Sequence, residues 1–100
     1  MPNTNKKINL QDIKKSLLPI LKQYHVTKAG LFGSYASGKA RRTSDLDIVI
    51  KINRDISLID FVELKLELEK KIGKKVDLVE YDTLKPLLQK SILQHEIQIL

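Results

Sequence analysis

Asp45 and Asp47 stand two residues apart in a stretch that alternates strictly. Leu46, Ile48, Ile50 and Ile52 point one way, and Asp45, Asp47, Val49 and Lys51 point the other. Such alternation is a β-strand with an apolar underside. It places two carboxylates on one face, about 7 Å apart at a rise of about 3.3 Å per residue. Aspartate is depleted from strands, so a pair on one face needs a reason. Asp77 lies in another apolar stretch, 76–81, with Val76 and Leu78 on one side and Asp77 and Val79 on the other. If the two strands are neighbours, three carboxylates meet. Two unit charges about 7 Å apart repel by roughly 2 kcal/mol at an effective dielectric of about 20. Three pairs approach ~6 kcal/mol, against a total stability of roughly 5–15 kcal/mol. A divalent cation reverses the sign. Carboxylate oxygens suit Mg²⁺, which takes one or two protein carboxylates together with substrate phosphates. The bland alternative is that the acids are solvated at a sheet end and never converge.

Gly33-Ser34 follows directly on a strand-like run, 26–32. Glycine lets the chain turn sharply and lets backbone N–H groups approach an anion. Serine adds a hydroxyl and opens a helical turn whose N-terminus favours phosphate. A Gly-Ser pair alone is usually just a turn. Here it sits between one strand and the acidic strand after it, so a phosphate held by the turn is within reach of metal on the acids. Ser44, just before Asp45, is placed to add a hydrogen bond or simply to end a loop.

The elements that must position these residues are legible around them. Residues 1–8 form a loose arm, and 9–100 form a single domain. Asn9 is a candidate N-cap for a first helix carrying Leu10, Ile13, Leu17, Leu18, Leu21 and Tyr24 at helical spacing, with Pro19 inside it as a kink or a break. Gly38 to Thr43 is a polar, basic loop. Ser57 caps a second helix with Asp60 in the capping-box position. Leu58, Phe61, Leu64, Leu68 and Ile72 are its apolar stripe, Glu67 and Lys71 its i,i+4 pair, and Gly73 its stop. A last helix runs from about Leu84 to His95, with Pro86 in its first turn and Leu84, Leu87, Leu88 and Ile92 as its stripe. Residues 97–100 are a short strand or a frayed end. The expected class is α+β: a small mixed sheet of three to four strands with helices packed on it.

Composition narrows the classes further. The chain has 100 residues, 42% apolar and 30% charged; 33 of the apolar residues are Leu, Ile or Val, enough for one core. No cysteine is present, which excludes a disulfide scaffold and any thiolate chemistry. No run of 18 apolar residues exists, and the first ten residues lack a signal-peptide core, so a cytoplasmic protein without membrane contact is expected. The 18 Lys and Arg against 12 Asp and Glu give +6, which favours anionic ligands or an acidic partner. Aromatic residues do not interleave with the basic ones, so direct nucleic-acid binding is not expected. His25 and His95 each end a helix without a second ligand at metal spacing. Phe32 and Tyr35 flank the turn and are read as packing residues, with contact to a base as the alternative.

Gly33-Ser34-Tyr35-Ala36-Ser37-Gly38 followed by Ser44-Asp45-Leu46-Asp47, with ten residues between Ser34 and Asp45, resembles the signature of the DNA polymerase beta-type nucleotidyltransferase superfamily. The likeness is greatest to the minimal nucleotidyltransferases and covers nearly the whole chain. Asp77 matches their third acidic position. Ser37 departs from the pattern, since many members carry Arg there; Lys39, Arg41 or Arg42 are candidate substitutes.

The resemblance implies a nucleotidyltransferase fold and transfer of a nucleoside monophosphate from an NTP. It implies Asp45, Asp47 and Asp77 as catalytic residues and as ligands of two Mg²⁺ ions. It implies Gly33, Ser34 and Ser44 as the nucleotide-binding residues, and ATP as donor. The core elements consume the chain, so acceptor recognition is expected from a second protein or a second copy. The resemblance names the former: a HEPN-domain toxin in a hetero-oligomer, with this chain as the antitoxin that modifies a toxin tyrosine with AMP. Two alternatives stand beside it. One is an antitoxin that neutralises by binding alone; the other is a small-molecule nucleotidyltransferase.

Overall fold

The computed structural model describes residues 10–38, 45–52 and 55–100; the arm at 1–8, the Asn9 cap, Ser44, Lys39, Arg41 and Arg42 lie outside the described residues. The elements are α1 (Leu10–Gln23), β1 (Val26–Phe32), α2 (Ser34–Ser37), β2 (Leu46–Ile52), α3 (Leu58–Ile72), β3 (Val76–Glu80), a 3₁₀ turn at Tyr81–Thr83, α4 (Pro86–His95) and β4 (Ile97–Gln98). The strands form one sheet in the order β3-β2-β1-β4. β1 runs antiparallel to β2 and to β4, whereas β2 and β3 are parallel, with α3 as the crossover between them. The sheet is therefore mixed and the class is α+β.

One face of the sheet carries the core. Leu46, Ile48 and Ile50 from β2, Val76 and Leu78 from β3, and Leu31 from β1 are buried against Ile13, Leu17 and Leu21 of α1 and Leu64 and Leu68 of α3. These are the positions that strand alternation and helical spacing select. Pro19 does not interrupt α1. It and Lys15, whose carbonyl it deprives of a helical donor, both lie on the exposed side, where water can replace that bond.

α3 is capped as its sequence indicates. The Ser57 Oγ accepts from the Asp60 N–H at 3.0 Å, and Gly73 closes the helix in the left-handed region. Two expectations fail here. Leu58 is 77% exposed; six residues at about 100° each carry it a third of a turn away from Leu64. The ion pair along α3 is Lys65–Glu69 at 3.9 Å. Glu67 turns instead to Tyr24, whose hydroxyl donates to it; that bond, with burial and the neighbouring acids, pushes the phenol pKa up to about 12.

The expected stripe of α4 also fails. Ile92 alone is buried, while Leu87 is 85% and Leu93 52% exposed. The helix is held at its ends, through Gln89 Nε2 donating to the Tyr81 carbonyl at 3.0 Å and through the strand that follows. The C-terminal segment is a two-residue strand, Ile97–Gln98, followed by two residues held to β1, and not a frayed end. Gln98 pairs with Gly30, Ile99 is buried, and the Ala29 carbonyl accepts from the N–H groups of Ile99 and Leu100.

His25 closes α1 with φ 64°, its N–H donating to Lys22 O at 3.0 Å. The left-handed region costs a non-glycine residue about 1–2 kcal/mol, and glycine returns about half of that as unfolded-chain entropy. His25→Gly is expected to stabilise the protein by about 0.5–1 kcal/mol, read as a higher urea midpoint at constant slope.

Candidate active site

The register of the sheet assembles the site. In the parallel pair, Asp47 lies beside Asp77; in the antiparallel pair, Asp47 lies opposite Phe32, the last residue of β1. Two bonds fix that parallel register from its start. The Leu46 N–H donates to Lys75 O, and the Val76 N–H donates to Glu69 Oε2, both at 2.9 Å. A slip of one residue would turn Asp77 into the core, so these bonds at the mouth of β3 decide whether the acids meet.

Asp47 is half-buried, whereas Asp45 and Asp77 are exposed. Burial pushes the Asp47 carboxyl above its ordinary range, the charges of Asp77 and Asp45 push it further, and protonated Asp47 can donate a hydrogen bond to Asp77. The repulsion expected from the alternation is therefore present. It centres on Asp47.

Gly33 turns with φ 68° directly over this pair, and a Cβ there would run into the Asp47 carboxylate. Its carbonyl accepts from the Ser37 N–H at 3.0 Å, which winds the turn into α2. Ser34 opens α2. The side chains of Ser34 and Tyr35 lie outside what the structure describes.

Asp47 and Asp77 are thus brought together under Gly33, and Asp45 is exposed but near enough for its charge to act on Asp47. Among the described residues, no three acidic or histidine side chains are grouped so that they could hold a metal ion, so the expected trio does not close here. Mg²⁺ takes only one or two carboxylates and keeps the rest of its coordination for water and substrate phosphate, so the pair Asp47 and Asp77 is the part that fits it. The all-oxygen donor set, two carboxyls within hydrogen-bonding reach and a side-chain-free cradle above them fit such an ion. His25 and His95 stay out of the site; His95 Nδ1 contacts Ser91 O of its own helix at 2.9 Å. In metal-free buffer, Asp45→Asn is expected to leave the melting temperature unchanged or higher, since it removes a repelling charge; a marked drop would show that Asp45 is structural.

One residue of this face escapes a reading by motif. Gly30, in the interior of β1, sits opposite Val49 and beneath the Glu96 carboxylate, which any side chain at position 30 would displace. An interior strand glycine is itself a signal of close approach.

Residues 15–100 match the family described as Polymerase beta, Nucleotidyltransferase. A Methanocaldococcus jannaschii protein named "Putative protein adenylyltransferase" is 41% identical over 93 residues, which are 93% of this chain and 100% of that one. "Protein adenylyltransferase MntA" of Thermococcus cleftensis is 33% identical over 96 residues, 92% of this chain and 97% of that one. Among solved structures, a chain of a toxin–antitoxin crystallised with AMP-PNP superposes with a TM-score of 0.78 at 25% identity, covering 87% of this chain and 72% of that one. No described helix is long and apolar enough to cross a membrane. With residues 15–100 matched and relatives of 41% and 33% identity covered over nearly their whole length, the chain belongs to the polymerase beta nucleotidyltransferase family.

Proposed function

We propose that the protein is a Mg²⁺-dependent adenylyltransferase that moves AMP from ATP to a tyrosine hydroxyl of a HEPN-domain toxin, and so acts as its antitoxin. The observation that carries this reading is the side-by-side placement of Asp47 and Asp77 beneath Gly33. The names of the relatives and the toxin–antitoxin origin of the structural neighbour support the acceptor and the donor.

Asp45 and Asp47 would hold the metal that binds the triphosphate, and Asp77 with Asp47 would hold a second. Mg²⁺ bound there would neutralise phosphate charge and polarise the reacting oxygens. Gly33, Ser34 and Ser44 hold the triphosphate tail so that the leaving pyrophosphate lies in line with the attacking oxygen. The acceptor oxygen forms a bond to the α-phosphorus, and the bond from that phosphorus to the β-bridging oxygen breaks. The electron pair leaves with pyrophosphate. Asp77, exposed beside Asp47, orients the hydroxyl and takes its proton or passes it to water.

The test uses the purified chain with its cognate HEPN protein, labelled ATP and Mg²⁺. Label on a toxin tyrosine is the expected result. An intact complex without label overturns the enzymatic reading and leaves neutralisation by binding alone.

A further inference from the structure

In-line transfer fixes the side from which the acceptor arrives. Gly33 and Ser34 follow β1, and the Gly33 turn stands over Asp47. A triphosphate tail held by that turn lies toward β1. The attacking oxygen enters opposite the leaving group, on the side of Asp77 and β3. β3 is an end of the sheet with β2 as its sole neighbour, so the approach on that side is open.

That approach is flanked by lysine. Residues 70–75 hold four lysines and no acidic or aromatic residue. Lys70 and Lys71 lie in the last turn of α3, where the carbonyl end of the helix accounts in part for their charge. Lys75 has no such account. Its carbonyl accepts from the Leu46 N–H at 2.9 Å, one step before the registered pair Leu46 and Val76, and so it stands beside Asp45. Val76 is buried, so alternation puts Lys75 on the same face as Asp77. Lys70, Lys71 and Lys75 are exposed, and among the described residues no ion pair joins any of them to a carboxylate. Glu69 is already committed, to Lys65 and to the Val76 N–H. Three ammonium groups at the reacting end of the sheet thus lack a counter-charge from this chain. Nucleic acid is one polyanion that could supply it, but the stretch has no aromatic side chain for a base to stack on. A carboxylate-bearing protein surface needs none.

We propose that Lys70, Lys71 and Lys75 dock an acidic surface of the acceptor protein and so bring its tyrosine hydroxyl in over β3 to Asp77. The proposal rests on the adenylyltransferase reading and deepens it by stating the acceptor's chemistry: carboxylates beside the reacting tyrosine. Charges at the rim of an interface act chiefly on the rate of encounter, and like charges placed there repel.

The experiment follows association and dissociation of the cognate HEPN protein on the full chain, with label transfer and calorimetry of AMP-PNP with Mg²⁺ alongside. The triple variant Lys70→Glu, Lys71→Glu, Lys75→Glu is expected to slow association about tenfold or more at low salt and to leave dissociation within about twofold. Its AMP-PNP affinity should match the wild type. Lys75→Glu alone, outside the helix, should slow association in the same direction, and Lys75→Arg, which keeps the charge, should not. Wild-type association should fall steeply between about 0.01 and 0.15 M ionic strength, where the screening length drops from ~30 to ~8 Å; that of the triple variant should not. Unchanged association in the triple variant overturns the proposal. So does a loss of AMP-PNP affinity in Lys75→Glu, which would give that lysine to the nucleotide. Loss of binding to a single-stranded RNA oligonucleotide, with association to the HEPN protein intact, overturns it too and makes the surface a nucleic-acid site. A wild-type chain that binds the HEPN protein without transferring label overturns the enzymatic reading instead, and the association rates still decide the docking surface.

Discussion

Gly33→Ala is expected to lower adenylyl transfer about 100-fold or more while the protein stays folded. Two effects combine. The residue lies at φ 68°, where a Cβ costs about 1–2 kcal/mol. That Cβ also points at the Asp47 carboxylate, which must move away from Asp77 or force the turn open. Displacing a positioning group by about 1 Å costs on the order of 10²-fold in rate. The two effects separate by a second substitution. Asparagine tolerates the left-handed region better than alanine but still carries a Cβ. Gly33→Asn should therefore recover part of the urea midpoint and none of the rate. Rate and stability returning together would mean that the glycine serves the turn alone.

Asp47→Asn is expected to abolish transfer, by about 10³-fold or more, and at the same time to stabilise the metal-free protein. Removing a group that holds charge at the reacting centre costs on the order of 10²–10³-fold for a single donor, and this carboxylate is the one proposed to serve both ions. The stability effect has the opposite sign because the folded chain raises the Asp47 pKa above its ordinary 3.8, chiefly through burial and the adjacent Asp77 and Asp45 charges. A carboxyl raised on folding favours the native state below its unfolded pKa, and that contribution is lost as pH rises through the folded value. Metal-free protein should accordingly melt lower at neutral pH than just above pH 4, with the fall largely absent in Asp47→Asn. Saturating Mg²⁺ should restore the wild-type protein and do nothing for the variant. Thermal scans across pH, with and without chelator, read all three. An Asp47→Asn variant that melts lower without metal would show that the carboxylate is a structural partner.

The acids and their neighbours were legible because strand alternation is a strict rule with a period of two. Once Leu46, Ile48 and Ile50 are in the core, Asp45 and Asp47 must share the opposite face. The Gly33 turn was legible because few residues other than glycine turn so sharply. That Asp77 comes beside Asp47 was not contained in either strand. It follows from the parallel crossover through α3 and from Glu69 and Lys75 meeting the ends of β3 and β2, contacts seven and twenty-nine residues apart that periodicity does not encode. The helical stripes misled where they were overextended. Leu58 drifts off the buried face of α3, and α4 is anchored by Ile92, Gln89 and β4, so Leu87 and Leu88 have the spacing of a core without one to enter. The close approach of Glu96 over Gly30 stayed hidden because it joins two separate segments.

The third carboxylate belongs to a strand with only one neighbour, since β3 is an end of the sheet and β2 is its sole partner. Strands in that position fray before the middle of a sheet does. Half of the proposed metal-binding pair is therefore mounted on a hinged plank. An ion held by residues 47 and 77 would bridge segments thirty positions apart and, binding only while the strand is closed, would stabilise the closed state by mass action. Loading the site should slow amide exchange along 76–80 far more than along β1, so that the enzyme is tightened at its rim by the very cargo it is about to use.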